Sequence, residues 1–448
     1  MFKGSKIFKW CRGVVIVGIL VGGLVSAQLP LYAKEMPYAG QKITVMLPSR
    51  KAPWWGLLAD AVPEFEKKTG IKVSLDLIPD VMIRDKTSVA LAARAGQYDV
   101  VPVFSFDLAK FVKAGWLRPL DPYINDPKFT PAEWGFGDFI PALIRSQSYE
   151  NRIYGIPHTG GTNLLYYNKE IFEKAGIKGP PNTLRKVEEY AKKVTALGYV
   201  GMVGRTTRKG RANVYGWVMW AKLFGFTRWY DENMMPLLDS PACIEGTDFW
   251  ARVLRNYGPK GIANYMWPEC LKDMQQGRVA MWMDGADFCA SLEDPKQSEV
   301  VGKIGYTLPE PKEGVTDNYT TLYTQALNIP NDAKHPEAAW EFIKWAESKE
   351  AQYKRATSGK VLNVTRESVL SSPMFRETYP SEWAKINLVA LKVSESKYRG
   401  GLPEDTETNE VVARILSEIL VGEKTAEEGM KEANREVYDI LKKAGYYK

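Results

Sequence analysis

The side chains that most often perform catalysis or bind metal are scarce in this sequence. Its 448 residues include two histidines, His158 and His335, and four cysteines. A serine–histidine–aspartate triad needs a positioned imidazole, and zinc sites are usually built from histidine or clustered cysteine. No two of the cysteines have Cys-x-x-Cys spacing. The sequence therefore argues against a hydrolytic triad or a metal centre, and we predict neither a metal nor any other cofactor.

Acidic residues are abundant, so composition leaves open an enzyme that cleaves glycosidic bonds with two carboxylates. The chain has 53 aspartates and glutamates, and a glycosidase needs only one well-placed pair. Enzymes of this kind with an α/β fold usually form a barrel of eight strand–helix units. No such eightfold count is visible, and a secreted carbohydrate-active enzyme is kept only as an alternative.

The elements that must position any functional residues alternate between strand and helix. Residues 43–47 have the period of two that is typical of a strand, residues 57–65 have helical spacing, and residues 71–77 return to the period of two. The alternation continues with a helix near 89–95 and a strand at 98–104, and it resumes beyond a proline-rich loop. This pattern and the length predict an α/β protein of two or three domains.

The first 33 residues predict a secretory signal peptide. Four basic residues between positions 3 and 12 precede an uncharged, largely apolar run at 13–33. The apolar core of this run, at 14–21, is short and broken by glycine compared with the roughly 20 residues of a membrane-spanning helix, which makes an uncleaved anchor the weaker alternative. Cys11 lies before the apolar run, which disfavours a lipoprotein. We expect a periplasmic or extracellular protein.

Removal of this segment would also remove much of the net charge of +7. The remaining chain has no concentrated basic stripe beyond residues 205–211, so we predict no binding of nucleic acid. Three cysteines remain, Cys243, Cys270 and Cys289. In an exported protein two of them could pair, or all could be buried thiols, and the sequence does not choose between these states.

Several segments resemble extracellular solute-binding proteins of ABC sugar importers. They are YGIP at 154–157, LYYNKEIFEKAG at 165–176, QGRVAMWMDG at 276–285 and AWEFIKWA at 339–346. Their order and spacing extend the resemblance over essentially the whole chain after the signal peptide. The branch that it most resembles includes sorbitol and mannitol binders.

The resemblance implies a type II periplasmic-binding-protein fold. Each of its two lobes would contain a mixed, mostly parallel sheet flanked by helices, and the ligand would lie in the cleft between the lobes. Lobe one is expected at 34–152 and about 299–331, where the strand at Ile304 would return to it, and lobe two at 153–298 and about 332–448. Ligands of open α/β sheets bind beyond the carboxyl ends of the strands.

A cleft for sugar needs hydrogen-bonding groups for hydroxyls and aromatic rings for the C–H faces. In lobe one, the candidates that follow predicted strands are Arg50, Trp54, Trp55, Ser105 and Asp107. The alternatives are packing for the tryptophans and helix capping for Ser105 and Asp107.

In lobe two, the candidates come from three loops. They are Thr159, Gly160, Arg211, Asn213, Asp284 and Asp287. Asp284 is the strongest of them, because it follows the apolar strand at 279–283 and a carboxylate can accept bonds from two sugar hydroxyls. The alternatives are a tight turn at 159–160, a solvated surface run near Arg211 and a helix cap at Asp284.

One strand departs from the polyol-binding branch. Thr321, Tyr323 and Gln325 stand where that branch has three tryptophans. Tyr323 and Gln325 join the candidates, but polyol specificity cannot be carried over. A hexose, an oligosaccharide or a more polar sugar derivative all remain open as ligands.

The function predicted from the sequence is that of an exported receptor. It would capture a carbohydrate or polyol between its lobes, leave it chemically unchanged and deliver it to the permease subunits of an ABC importer. A ligand stabilises closure of the lobes only through contacts that it gains in the closed state. We expect a monomer without cofactors. A sensory binding protein for a chemoreceptor is a further alternative, since it would have the same fold and a different partner.

Overall fold

The computed structural model describes residues 36–49, 53–80, 82–358 and 363–447. From Tyr38 onward the described residues form one compact unit, and Met36 and Pro37 belong to a separate N-terminal unit. The predicted signal peptide at 1–33 and the candidate Arg50 lie outside the described residues.

Thirteen strands lie in the described part of the chain. They are β1 (Lys42–Pro48), β2 (Lys72–Ile78), β3 (Val101–Phe104), β4 (Ser148–Tyr149), β5 (Arg152–Ile153), β6 (Gly155–Gly161), β7 (Asn163–Asn168), β8 (Val200–Val203), β9 (Val279–Gly285), β10 (Ile304–Thr307), β11 (Thr320–Thr321), β12 (Tyr323–Asn328) and β13 (Ser394–Glu395).

Eighteen α-helices accompany them in the same described ranges. They are α1 (Pro53–Thr69), α2 (Ile83–Ala93), α3 (Leu108–Lys113), α4 (Asp121–Asn125), α5 (Pro141–Ser146), α6 (Lys169–Lys174), α7 (Leu184–Thr195), α8 (Ala212–Leu223), α9 (Pro241–Tyr257), α10 (Trp267–Gln275), α11 (Cys289–Leu292), α12 (Pro336–Ala346), α13 (Lys349–Ala356), α14 (Glu367–Leu370), α15 (Pro373–Thr378), α16 (Ser381–Lys392), α17 (Asp405–Val421) and α18 (Ala426–Lys443).

Local signals in the sequence account for several helix ends. The Thr183 hydroxyl accepts a hydrogen bond from the Lys186 amide at the start of α7, and Ser240 followed by proline begins α9 in the same way. Helix α2 ends at Arg94, which has φ of 47°, rather than at the predicted Gly96. Periodicity locates a helix, but it does not fix the last turn.

The first lobe is built around strands β1, β2, β3, β6 and β12. β1 and β2 are parallel, with Val45 opposite Leu75, and a parallel bridge between Val45 and Val100 continues the sheet towards β3. β12 then lies antiparallel between β3 and β6. Trp55 of α1 and Trp340 of α12 pack with Val45 in the core of this lobe.

The second lobe is built around a four-stranded sheet in the order β10-β7-β9-β8. β8 and β9 are parallel, whereas β7 is antiparallel to both β9 and β10. Every residue of α8 is buried, as expected of a helix that is apolar on all sides and lies inside a core. Helices α9 and α17 pack against it, and α18 packs on these two helices with residues of the same core.

The two-lobe α/β arrangement agrees with the sequence, but three elements lie in the opposite lobe from the one expected. β10, at Ile304, pairs with β7 of the second lobe. β6 pairs with β12 of the first lobe, and α12 packs in the first-lobe core. Apolar alternation identifies a strand or a helical face, but the choice of sheet depends on long-range pairing that has no local signal.

Candidate ligand-binding cleft

Polar and aromatic residues collect where the strands of the two lobes end. In the first lobe, β3 ends at Phe104 beside the start of β12, and the Ser105 amide donates to the Thr324 carbonyl over 2.9 Å. In the second lobe, Arg205 follows β8, and Asp284 lies near the end of β9. These neighbouring strand ends bring residues distant in sequence to a common region.

Arg205 and Asp284 form a two-pronged ion pair in the second lobe. Arg205 Nη2 donates to Asp284 Oδ1 over 2.6 Å, and Nε donates to Oδ2 over 2.8 Å. The Asp284 side chain is fully buried, and that of Arg205 is 20% exposed. Asp284 Oδ1 also accepts from the Gly285 amide. Because a planar guanidinium fork matches the carboxylate geometry, this pairing fixes both side chains.

Aromatic rings surround the Arg205 guanidinium. Its carbon lies 4.7 Å from the centre of the Tyr215 ring and 5.9 Å from that of Phe288. Burial disfavours the charge, but the ion pair with Asp284 outweighs it and raises the pKa of Arg205. Arg205, Tyr215, Asp284 and Asp287 are called the second-lobe face below.

Asp287 connects the second lobe to β12 of the first. The Tyr323 hydroxyl donates to Asp287 Oδ2 over 3.2 Å and accepts from the Asn363 amide over 2.9 Å. Burial raises the pKa of the Asp287 carboxyl, and the charge of Asp284 raises it further. The predicted candidates Asp284, Asp287 and Tyr323 are thus brought together.

A second two-pronged ion pair lies in the first lobe. Arg84 Nε donates to Asp107 Oδ2 over 2.8 Å, and Nη2 donates to Oδ1 over 2.7 Å. The Arg84 guanidinium lies 4.5 Å from the centre of the Phe106 ring and 5.9 Å from that of Phe104. Asp107 precedes α3, but its side chain makes no capping hydrogen bond. Arg84, Phe104, Phe106 and Asp107 are called the first-lobe face.

The two faces approach each other at Tyr398 and Arg399. Tyr398 belongs to the second-lobe core, and the Arg399 guanidinium lies 4.8 Å from the centre of the Phe106 ring of the first lobe. Burial raises the pKa of Tyr398, while the nearby charges of Arg399, Arg205 and Arg84 act to lower it. Arginines of both faces are therefore neighbours of one buried phenol.

The Trp55 side chain makes its hydrogen bond and its ring contact inside the first lobe. Its indole nitrogen donates to Gln325 Oε1 over 2.8 Å, and its ring stacks on His158 with centres 4.0 Å apart. Trp54 is partly buried, and its indole nitrogen has no hydrogen-bond partner among the described residues. Of the two predicted tryptophans, Trp54 is the one with a free donor.

A buried network lies behind this stack. His158 Nδ1 is 2.6 Å from Glu347 Oε1, and both side chains are fully buried. Glu347 also accepts from Arg355 Nη2 over 2.9 Å and from Gln352 over 3.2 Å. Burial lowers the pKa of His158, and this effect outweighs the opposing charge of Glu347. Because a carboxylate can only accept, Nδ1 is the donor in the hydrogen bond to an ionised Glu347.

Three other predicted residues have structural contacts in the first lobe. Ser105 Oγ accepts from the Thr324 amide over 3.3 Å. Thr159 is fully buried, and its hydroxyl has no partner in the described part of the chain. A Cβ at Gly160 would lie 2.5 Å from a methyl carbon of Leu143. Glycine is required there by packing against α5.

The two candidates beyond β8 contact α17. Asn213 is buried, and its amide nitrogen donates to the Ala413 carbonyl over 2.7 Å and to Ser417 Oγ over 3.2 Å. Arg211 Nη1 donates to Glu410 Oε1 over 3.1 Å. Asn213 therefore joins α8 to α17. Burial lowers the pKa of Arg399, and the nearby charge of Arg211 acts in the same direction.

Sequence reasoning missed Arg84, Phe106, Arg205 and Arg399. Arg84 begins α2 after a predicted strand, and Phe106 stands between two chosen candidates, so their positions carried a usable signal. Arg205 was assigned to a solvated basic run. Arg399 follows no predicted strand, and only the tertiary fold brings it to Phe106.

The three described cysteines are free and buried. Burial raises the pKa of Cys243, Cys270 and Cys289, which makes them inert thiols rather than reactive groups. Within the described ranges, no group of three or more His, Cys, Asp or Glu side chains is placed to hold a metal ion. No helix in the same ranges has the length and apolar character needed to cross a membrane.

Comparison with protein families gives a match to the model for "Bacterial extracellular solute-binding protein" over residues 49–353. The family resemblance in the sequence is thereby confirmed. The mannitol-binding protein of Pseudomonas aeruginosa is 25% identical over 401 residues, covering 86% of this chain and 89% of the relative. The erythritol/L-threitol-binding protein of Mycolicibacterium smegmatis is 26% identical, covering 70% of this chain and 68% of the relative.

Solved structures give the same fold. An ABC transporter solute-binding protein from Agrobacterium vitis with bound D-mannitol is 26% identical, with a TM-score of 0.78 over 91% of this chain and all of the other. A solute-binding protein from Agrobacterium radiobacter in complex with ribitol, 22% identical, has a TM-score of 0.79 over 90% of this chain and 100% of the other. These matches confirm the two-lobe type II fold.

Proposed function

This chain belongs to the bacterial extracellular solute-binding protein family, and we propose that it is the substrate-binding receptor of an ABC importer for a carbohydrate or polyol. The observation that carries the proposal is the convergence of two arginine–carboxylate pairs, one from each lobe, beside aromatic rings. Fixed polar groups next to ring faces are what a hydroxyl-rich ligand requires. The binding of D-mannitol by a relative of the same fold supports this class of ligand.

The proposed ligand contacts come from both faces. Asp284 and Asp107 would accept hydroxyl hydrogen bonds, Arg205 and Arg84 would donate to ligand oxygens, and rings of Tyr215, Phe106 and Trp54 would pack on C–H faces. Arg50, Asp287, Arg211 and Tyr323 remain proposed neighbours of the ligand. Trp55, Gln325, Ser105, Thr159, Gly160 and Asn213 would act through the packing of the lobes, since the contacts of their side chains or backbone lie within the protein.

We further propose that the ligand is released chemically unchanged. A retaining or inverting glycosidase needs one carboxylate acting as an acid and a second acting as a nucleophile or base. In this chain Asp284 and Asp107 each accept both prongs of an arginine fork. With their oxygens fixed in this way, the two carboxyl groups are placed as hydrogen-bond acceptors for ligand hydroxyls.

The chain is proposed to act outside the cytoplasmic membrane as a monomer. The predicted signal peptide at 1–33 supports export, and the family supports a periplasmic or extracellular location. Lobe closure around the ligand would create the surface that permease subunits recognise, as hinge closure does in periplasmic binding proteins. The division of the chain between lobes is proposed to follow the two sheets.

A binding and turnover assay on the exported protein tests the proposal. Differential scanning fluorimetry over a panel of monosaccharides, oligosaccharides, polyols and sugar acids should give a ligand-dependent rise in Tm, and mass spectrometry should recover that ligand unchanged. Formation of a hydrolysis product would favour the enzyme alternative. A panel without any thermal shift or calorimetric heat would contradict the receptor proposal.

A further inference from the structure

Two arginines and a single carboxylate meet around the Phe106 ring of the first-lobe face. Arg84 and Arg399 lie against the same Phe106 ring, with their guanidinium carbons 4.5 and 4.8 Å from its centre. Asp107 accepts both of its two-pronged bonds from Arg84. Among the described residues no carboxylate lies within ion-pair distance of Arg399, and its buried Nε has no hydrogen-bond partner.

Two acidic groups of α17 are engaged elsewhere. Asp405 accepts hydrogen bonds from the amides of Gly401 and Leu402, over 2.8 and 3.0 Å, and burial raises its pKa to about 8. Glu410 pairs with Arg211. A carboxyl that holds a proton near neutral pH supplies little negative charge to balance a neighbouring arginine. The positive charge on Arg399 is therefore left largely unbalanced.

The loop that presents Arg399 is fixed in place. The Trp229 indole donates to the Tyr398 carbonyl over 2.8 Å, and the Asn409 amide donates to the Arg399 carbonyl over 2.9 Å. Gly400 follows with φ of 112°, and a Cβ there would lie 2.7 Å from Asp405. Arg399 is partly buried, and a charge withdrawn from water is costly unless it is paired. A rigid backbone that holds such a charge in a cleft points to a partner supplied by the ligand.

We infer that the ligand of this receptor is an anionic carbohydrate, whose acidic group binds Arg399 beside Phe106 while its hydroxyls bind the two faces. The inference rests on the proposed function and narrows its substrate class. The shared chemistry is an anionic oxygen on a polyhydroxyl skeleton, either the carboxylate of a sugar acid or the phosphate of a sugar phosphate. Arginine forks bind both groups in the same two-pronged way.

Matched ligand sets test the inference by calorimetry on the exported protein. One set is D-glucose, D-glucuronate and D-glucose 6-phosphate, and the other is D-mannitol, D-mannonate and D-mannitol 1-phosphate. An acidic member should bind at least about tenfold more tightly than its neutral parent, and its affinity should fall as salt is raised. Preference for the carboxylate or for the phosphate identifies the acidic group.

Variants at Arg399 separate charge from packing. Arg399→Gln should reduce the preference for the acid to within about threefold, while Arg399→Lys should retain much of it. Arg185→Gln is the control, because Arg185 is 85% exposed and pairs only with Glu189 over 3.9 Å in the described structure; it should leave every affinity unchanged.

The outcomes distinguish this inference from the proposed function. Neutral sugars that bind as tightly as their acids, or an acid preference that survives Arg399→Gln, would overturn the anionic ligand and leave a receptor for neutral carbohydrate. A protein that binds no member of a wider panel, neutral or acidic, would overturn both.

Discussion

The two faces use the same arginine–carboxylate motif at different depths. In the second-lobe face, Asp284 is fully buried at the end of a central strand, and Arg205 is 20% exposed. In the first-lobe face, Asp107 and Arg84 are 13% and 29% exposed. Asp284 also accepts from the Gly285 amide, whereas Asp107 makes no capping bond to α3. The second-lobe pair is therefore held more rigidly by its surroundings.

Under the proposed function, this difference predicts unequal parts for the two lobes in ligand binding. Side chains that are already fixed lose little conformational freedom when a ligand arrives. The second-lobe face should therefore provide most of the binding free energy, and the first-lobe face should complete the contacts when the lobes close. Four substitutions test this difference between the lobes and the packing that supports it.

The largest effect is expected for Asp284→Asn. The largely buried Arg205 guanidinium would lose its counter-charge, and breaking a pair whose carboxylate is fully buried costs about 3 kcal/mol of unfolding free energy. Ligand affinity should fall by about a hundredfold or more, since the acceptor is lost and Arg205 is no longer held. Urea denaturation and calorimetry measure the two effects. Full affinity in a folded variant would remove Asp284 from the site.

A smaller effect is expected for Asp107→Asn, the matched change in the first-lobe face. The pair is more exposed to water, so its loss should cost about 1 kcal/mol of unfolding free energy and about tenfold in affinity. The same denaturation and calorimetry assays apply. An affinity loss equal to or larger than that of Asp284→Asn would reverse the proposed order of the two faces.

The sequence predicted the second-lobe face better than the first, because the strand pattern that locates Asp284 lies directly beside it in the chain. An apolar run at 279–283 ends at Asp284, so strand periodicity alone locates that carboxylate. Its partner Arg205 lies in a polar run whose ordinary interpretation is a solvated surface. Asp107 was found by its position after β3, but Arg84 comes from another strand end, and no pattern in the sequence joins them.

The lobe assignment of β10 and the position of Arg399 were beyond sequence reasoning for a related reason. The pairing of Ile304 with Asn168 and the packing of Arg399 on Phe106 join segments more than a hundred residues apart. Strand and helix periods report which side of an element is buried. They carry no information on which distant element covers it.

The pH dependence of stability tests the support behind the first lobe. Burial lowers the pKa of His158 below its ordinary 6.5. Just below pH 6.5 the imidazole is therefore protonated in the unfolded chain and neutral in the folded chain. The contribution of neutral His158 to the free energy of unfolding is complete above pH 6.5. It is lost as the pH falls below that value, by at most about 1.4 kcal/mol per pH unit.

Urea denaturation between pH 7.5 and 5 should therefore show a steeper loss of stability for the unaltered protein than for His158→Gln. Glutamine can donate to Glu347 without titrating. Identical slopes for the two proteins would mean that His158 has the same pKa in the folded and unfolded chains, and a shallower slope for the unaltered protein would mean that the folded state holds the imidazole protonated.

The smallest effect on binding is expected for Asn213→Ala. Sequence position made Asn213 a candidate contact, but its amide donates to Ala413 and Ser417 of α17. Its loss should lower the unfolding free energy by about 1 kcal/mol and change ligand affinity by less than about twofold, because α8 and α17 pack behind the second-lobe face. Ser417→Ala is the matched control, since it removes one acceptor of the same amide. A tenfold loss of affinity for Asn213→Ala alone, at equal stability of the two variants, would return Asn213 to the site and extend the second-lobe face as far as α17.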